Sequence, residues 1–203
     1  MKFLNLTVLP LGLRQEVREA EGRYTLTLTP EGDEAVELEE VSAVFGFDFS
    51  GDDALYLNGY QSWTYSPERT RKQFDKAMRF VPKALDRKFG FSQYGDGYFA
   101  DPVYRRDLRA GYKKGYSYAY VRRDKQFRLL ASLAEDTGFT RIIINCKAGT
   151  VTCKKDCHHR YLQPEESYLG LDMLCVEGDE DAVFDAWFDA MGVRAIPAQP
   201  KIG

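Results

Sequence analysis

Alternation of apolar and polar positions dominates the first sixty residues. Tyr24, Leu26 and Leu28 share one face while Thr25, Thr27 and Thr29 share the other, a period of two that predicts a half-buried strand. Val36 and Leu38 open a second run. Its parity slips at Glu39-Glu40, after which Val41, Ala43, Phe45, Phe47 and Phe49 line up. A one-residue slip sends every later side chain to the opposite face, so a bulge or strand break is expected there. Leu55 and Leu57 form a further short strand ending at Asn58-Gly59.

The pattern weakens between Trp63 and Asp107. Ser66-Pro67-Glu68 has the form of a helix start, with Ser as N-cap and Pro at the first helical position. Phe74, Ala77 and Met78 would supply its apolar face, and Pro82 would follow its end. Strands resume at Tyr116, where Tyr116, Tyr118 and Tyr120 alternate with Ser117, Ala119 and Val121. Phe127, Leu129, Ala131 and Leu133 make the next arm across a turn at Asp124-Lys125. Ile142, Ile143 and Ile144 read as a strand buried on both faces. Lys147-Ala148-Gly149 turns it into Val151 and Cys153, and Leu169, Leu171, Met173 and Cys175 mark a later strand.

One helix stands out near the end. Asp179 is the expected N-cap, Glu180 and Asp181 complement the positive end of the helix dipole, and Gly192 suits the C-terminal stop. Val183, Phe184, Trp187, Phe188 and Met191 form its apolar stripe. Many closely spaced strands with one late helix predict a mainly β chain built as a sandwich. The domain is expected to run over residues 1–194, with 195–203 as an extended linker.

Composition then removes several functions. The chain has 203 residues, and its 28 Lys and Arg against 31 Asp and Glu leave a net charge of −3. No global basic field exists to hold nucleic acid. The run from Phe3 to Leu13 is broken by Asn5, Thr7 and Pro10 and is too short to cross a bilayer, so neither a membrane anchor nor a signal peptide is expected. Four cysteines do not make a disulfide scaffold, and reduced thiols in the cytoplasm are the expectation.

Candidate chemistry is sparse. Cys153, Cys157, His158 and His159 are zinc-type ligands, but adjacent histidines seldom face one ion, so no metal and no cofactor is predicted. Buried thiols beside a polar loop are the expected arrangement. Both histidines lie in one turn, no Gly-x-Ser-x-Gly elbow is present, and no catalytic residue is assigned. The basic stretch from Arg69 to Arg87 reads as a solvated face or a subunit contact. The 13 Tyr, 13 Phe and 2 Trp are more distinctive. So many tyrosines need wet or hydrogen-bonded ring tips, on a surface facing sugar, peptide or another subunit.

The string Asn58-Gly59-Tyr60-Gln61-Ser62-Trp63-Thr64 concentrates this chemistry. Aromatic rings stack on the apolar faces of pyranoses, and amides and hydroxyls pair with sugar hydroxyls. Asn58, Tyr60, Gln61, Ser62 and Trp63 are therefore the candidate substrate-binding residues. The same residues also suit a corner in which Trp63 plugs the sandwich edge.

Extended back to Tyr56-Leu57, this string resembles the N-terminal domain of bacterial glycoside hydrolase family 36, the α-galactosidase or melibiase family. Lys201-Ile202-Gly203 is similar to the first residues of that family's catalytic barrel. The resemblance implies a galactose mutarotase-like β-supersandwich followed by a (β/α)8 barrel, of which 195–203 would be the linker and truncated start. Only about 140 residues follow Trp63, whereas eight βα units need about 200 or more, so the barrel itself is not in this chain. The family's two catalytic aspartates sit on barrel strands and match no position here. What the resemblance implies is a non-catalytic accessory domain. Its partners would be the barrel of the same chain, a galactoside or other sugar at a shared site, and further copies in a homo-oligomer. No nucleic acid or membrane partner is expected. An independent carbohydrate-binding module is the second reading, and an aldose epimerase the third.

Overall fold

The structure, a computed structural model, describes residues 1–59, 66–73 and 111–192. The first half contributes β1 (Lys2–Leu9), β2 (Leu13–Ala20), β3 (Arg23–Pro30), β4 (Val36–Glu37), β5 (Glu40–Gly46), β6 (Ala54–Leu57) and β7 (Arg69–Thr70). The second contributes β8 (Tyr112–Tyr116), β9 (Tyr118–Arg123), β10 (Gln126–Ser132), β11 (Thr140–Asn145), β12 (Thr150–Lys155), β13 (Tyr161–Leu162) and β14 (Tyr168–Gly178). Helix α1 (Glu180–Ala190) follows. Two antiparallel sheets, ordered β1-β5-β12-β11-β8 and β2-β3-β14-β10-β9-β6-β7, pack as a β-sandwich, and β4 pairs with β13 in a small third sheet.

The period-two runs fill the space between the sheets. Leu26 and Leu28 of β3 are buried while its threonines stay half-buried. They meet Val41, Ala43 and Phe45 of β5, Ile142 and Ile144 of β11, and Val151 and Cys153 of β12. Each fully buried Leu, Ile or Phe contributes about 1.5–3 kcal/mol relative to exposure, so this layer is the main source of stability. The parity slip at Glu39 is a true break: β4 ends at Glu37 and β5 starts at Glu40 in a different sheet. Ile143 differs from expectation. It faces outward and is half-exposed, so β11 is buried on one face only.

The expected tyrosine strand is two strands. Ser117 takes a left-handed conformation with φ of 61°, and the chain there passes from one sheet to the other. Its amide donates to the Thr140 carbonyl at 2.8 Å, and its carbonyl accepts from the Ser132 amide at 2.7 Å. Those bonds reach β11 in one sheet and the end of β10 in the other, which holds a conformation that costs a non-glycine residue about 1–2 kcal/mol.

No helix starts at Ser66. Arg69 and Thr70 pair with Leu55 and Ala54 as an edge strand. The backbone donors and acceptors along β6 outweigh the local capping preference of Ser-Pro-Glu. The remainder of that predicted helix, over Phe74 to Pro82, lies outside the described residues.

Helix α1 matches its expected caps. The Asp179 carboxylate accepts from the Ala182 amide at 2.9 Å, and Gly192 closes the C-terminal end with φ of 57°. Val183 docks on Phe127, Leu129 and Ala131. Phe188 and Met191 remain 46% and 41% exposed, so the sheet covers only part of the stripe. No helix among the described residues is long and apolar enough to cross a membrane.

Candidate functional site

Asn58 stands directly after β6, at the corner where the tyrosine run changes sheets. Its amide donates to the Tyr118 carbonyl at 3.1 Å, and its carbonyl accepts from the Tyr116 amide at 2.9 Å. Gly115 makes the approach possible: a Cβ there would stand 2.6 Å from Leu57 Cβ and 2.7 Å from the Asn58 carbonyl oxygen. Asn58 is half-buried. The other four candidate substrate-binding residues, Tyr60, Gln61, Ser62 and Trp63, lie outside the described residues.

Tyr116 also borders a cleft of about 480 Å³. Strand register builds its floor. Tyr116 of β8 lies opposite Arg141 of β11, and Arg141 lies opposite Lys154 of β12, so the three form a row on the outward face of the five-stranded sheet. Phe139, Glu37, Glu39, Asp156 and the His158-His159 turn complete the rim. The volume falls within the range of sites for small ligands, and a mixed aromatic and polar lining is their usual chemistry.

Charges around this cleft are mostly paired. Lys154 Nζ meets Glu40 at 2.9 Å. Glu37 accepts from the Tyr161 hydroxyl at 2.7 Å and His159 Nδ1 at 2.8 Å, and these two bonds hold its carboxyl below its ordinary range. Asp156 accepts from the His158 amide. Lys155 is buried and donates to the Ala134 carbonyl, and burial lowers its pKa. Arg141 differs. Its guanidinium sits 5.8 Å from the Tyr116 ring centre, and its buried Nε has no hydrogen-bond partner among the described residues.

The cysteine and histidine cluster does not converge. Cys153 is wholly buried in the core and Cys157 nearly so, with burial raising both thiol pKa values. His158 and His159 are mostly exposed, each with a positive φ. Among the described residues no group of three or more His, Cys, Asp or Glu is placed to hold a metal ion.

Much of the tyrosine excess is used internally. Tyr56 stacks on Tyr120 at 4.9 Å and Tyr118 at 5.6 Å, on the outer face of the seven-stranded sheet. Trp187 of α1 lies 4.7 Å from Tyr118. The Tyr120 hydroxyl donates to Glu68, which Arg122 also grips through two hydrogen bonds. Burial pushes the Tyr118 and Tyr120 hydroxyls far above their ordinary pKa. Stacked and bonded to one another, these rings form a structural ladder.

Sequence reasoning missed Arg141, Phe139 and Glu37 as lining groups. The available signal was Arg141 heading the run Ile142-Ile143-Ile144, a charge next to an apolar strand.

No protein-family model and no curated protein matches the chain. Among solved structures it is similar to the GH36 α-galactosidase AgaA from Geobacillus stearothermophilus, in complex with 1-deoxygalactonojirimycin. The identity is 13% and the TM-score 0.42, over 84% of this chain and 22% of that one. The chain thus spans about a fifth of that enzyme's length. A likeness at this level carries no statement about activity.

Proposed function

We propose that this chain is a non-catalytic accessory domain of an α-galactosidase-like glycoside hydrolase. In this reading residues 195–203 lead into a catalytic (β/α)8 barrel, and the Asn58 to Thr64 string helps shape the barrel's sugar site. Contacts between copies of the domain would support a homo-oligomer. The observation that carries the reading is the anchoring of Asn58. A string rich in sugar-binding residue types begins at a strand end bonded to both Tyr116 and Tyr118. A rigid root of that kind suits a loop that presents side chains to a neighbouring surface.

The test is hydrolysis of a chromogenic α-galactoside. The 203-residue chain alone should release no product, and the longer polypeptide with its barrel should. Turnover by the purified chain alone contradicts the accessory role. The second reading, an independent carbohydrate-binding module, is favoured by the aromatic and polar cleft beside Tyr116. Submillimolar affinity of the chain alone for galactose would select it.

A further inference from the structure

We propose that the outer edge of β2 pairs antiparallel with β2 of a second copy of this chain, about a two-fold axis at Val17. This surface goes beyond the accessory-domain reading and stands without it. Strand order leaves β1, β8, β2 and β7 at the sheet edges. Three of these are blunted, as edges usually are. β7 has two residues, β1 carries a register shift between Phe3 and Asn5, and β8 is met at Tyr116 by Asn58. β2 differs. It pairs with β3 without a break, and all of it but Leu13 is exposed. The Gly12 carbonyl accepts from the Glu31 amide at 3.0 Å, so the backbone groups at even-numbered positions face β3. Those of Gln15, Val17 and Glu19 point away from the sheet, and nothing among the described residues bonds to them.

Charge selects both the occupant and the register. With Val17 on the axis, Glu16 lies opposite the partner's Arg18, Arg18 opposite the partner's Glu16, and Gln15 opposite the partner's Glu19. Opposite charges directly across an antiparallel pair are stabilising, and like charges there are destabilising. Moving the axis to Glu16 sets Arg14 against Arg18 and Glu16 against itself, and moving it to Arg18 sets Arg18 against itself. Within one chain Arg18 and Glu16 bond to each other at 2.8 Å in solvent, with side chains 76% and 56% exposed, so both can reach across the edge. Val17 shares the core-facing side with Leu26 yet is 46% exposed. The five-stranded sheet therefore stops short of β2 and leaves room for a partner strand beside it, where the two valines meet. One strand pair is a small interface, so association in the micromolar range is expected.

The experiment is sedimentation equilibrium of the 203-residue chain, repeated on Val17→Pro, on Arg18→Glu and on the double variant Glu16→Arg with Arg18→Glu. The parent should dimerise with a micromolar Kd that added salt raises. Val17→Pro removes an outward N–H, which an edge strand tolerates, and should weaken the dimer by roughly tenfold or more with the circular dichroism spectrum unchanged. Arg18→Glu sets like charges opposite each other and should also weaken it by roughly tenfold or more. The double variant exchanges the two charges and should recover dimerisation. If Val17→Pro does not fold, the charge variants, altered only at exposed positions, carry the comparison. A chain that stays monomeric up to about 1 mM, its edge free or taken by another segment, overturns the proposal. So does a dimer undiminished in folded Val17→Pro or in Arg18→Glu, or one that the double variant fails to restore. Galactoside hydrolysis enters none of these results, so a failure of the accessory role leaves them intact.

Discussion

The Tyr116 amide donates to the Asn58 carbonyl at 2.9 Å, and Tyr116 also forms part of the floor of the cleft that Arg141 lines. The root of the predicted sugar-binding string and the cleft are thus two sides of one residue. A change that displaces Asn58 from β8 should disturb both.

Gly115 is the position at which to make that change. An added Cβ meets the Asn58 carbonyl oxygen and Leu57 Cβ well inside contact distance, and backbone oxygen has little freedom to retreat. Gly115→Ala should destabilise the chain by about 1–3 kcal/mol or more. Urea denaturation followed by far-ultraviolet circular dichroism measures the loss, and an unchanged midpoint contradicts this packing.

Acid should act through Asp53. Its carboxylate is 1% exposed, accepts from Arg123 at 2.7 and 3.1 Å and from the Ser50 amide at 2.7 Å. Burial alone would raise its pKa, but those bonds and the nearby Arg123 and Arg128 charges together hold it below the ordinary value. The folded chain therefore binds this proton later than the unfolded chain does. The stabilisation is fully present above the unfolded value of about 3.9 and disappears as pH falls through the folded value. Asp53→Ala should cost about 2–4 kcal/mol near neutrality, reduced from a wholly buried pair because Arg123 is 44% exposed. Its stability should also fall less steeply with acid than that of the parent.

The half-covered helix sets a contrast between neighbours. Trp187 packs on Tyr118, whereas Phe188 is 46% exposed. Trp187→Ala should cost about 2–3 kcal/mol, and Phe188→Ala should stay within about 0.5. Trp187→Phe should lose far less than Trp187→Ala, because the buried indole N–H has no partner among the described residues. Thermal melts of the three variants check the order, and equal losses at both positions would mean the whole stripe is covered.

The strands of the core were legible because Leu and Thr alternate cleanly in β3, and because a parity slip at Glu39 leaves a visible mark. The sheet change at Ser117 was not. The Tyr-x-Tyr-x-Tyr pattern runs through it unbroken, and only the backbone conformation and the partners of Ser117 differ. β7 was hidden for a related reason, since a local Ser-Pro-Glu signal says nothing about an edge of β6 waiting for hydrogen bonds. In the site, Asn58 could be placed at a strand end from its own neighbourhood. Arg141 joins Tyr116 and Lys154 only through pairing of β8, β11 and β12, a long-range register that no local pattern encodes.

The most direct measurement is the steady-state kcat/KM for an α-galactoside of the barrel-containing polypeptide carrying Trp63→Ala. If the string completes the sugar site, the substitution removes ring stacking and water exclusion but no catalytic group. The value should then fall about ten- to a hundredfold, equivalent to about 1.4–2.8 kcal/mol, mostly through KM. The melting midpoint of the 203-residue chain should change little. Unaltered kinetics beside a badly destabilised chain would make Trp63 a corner plug and contradict the account.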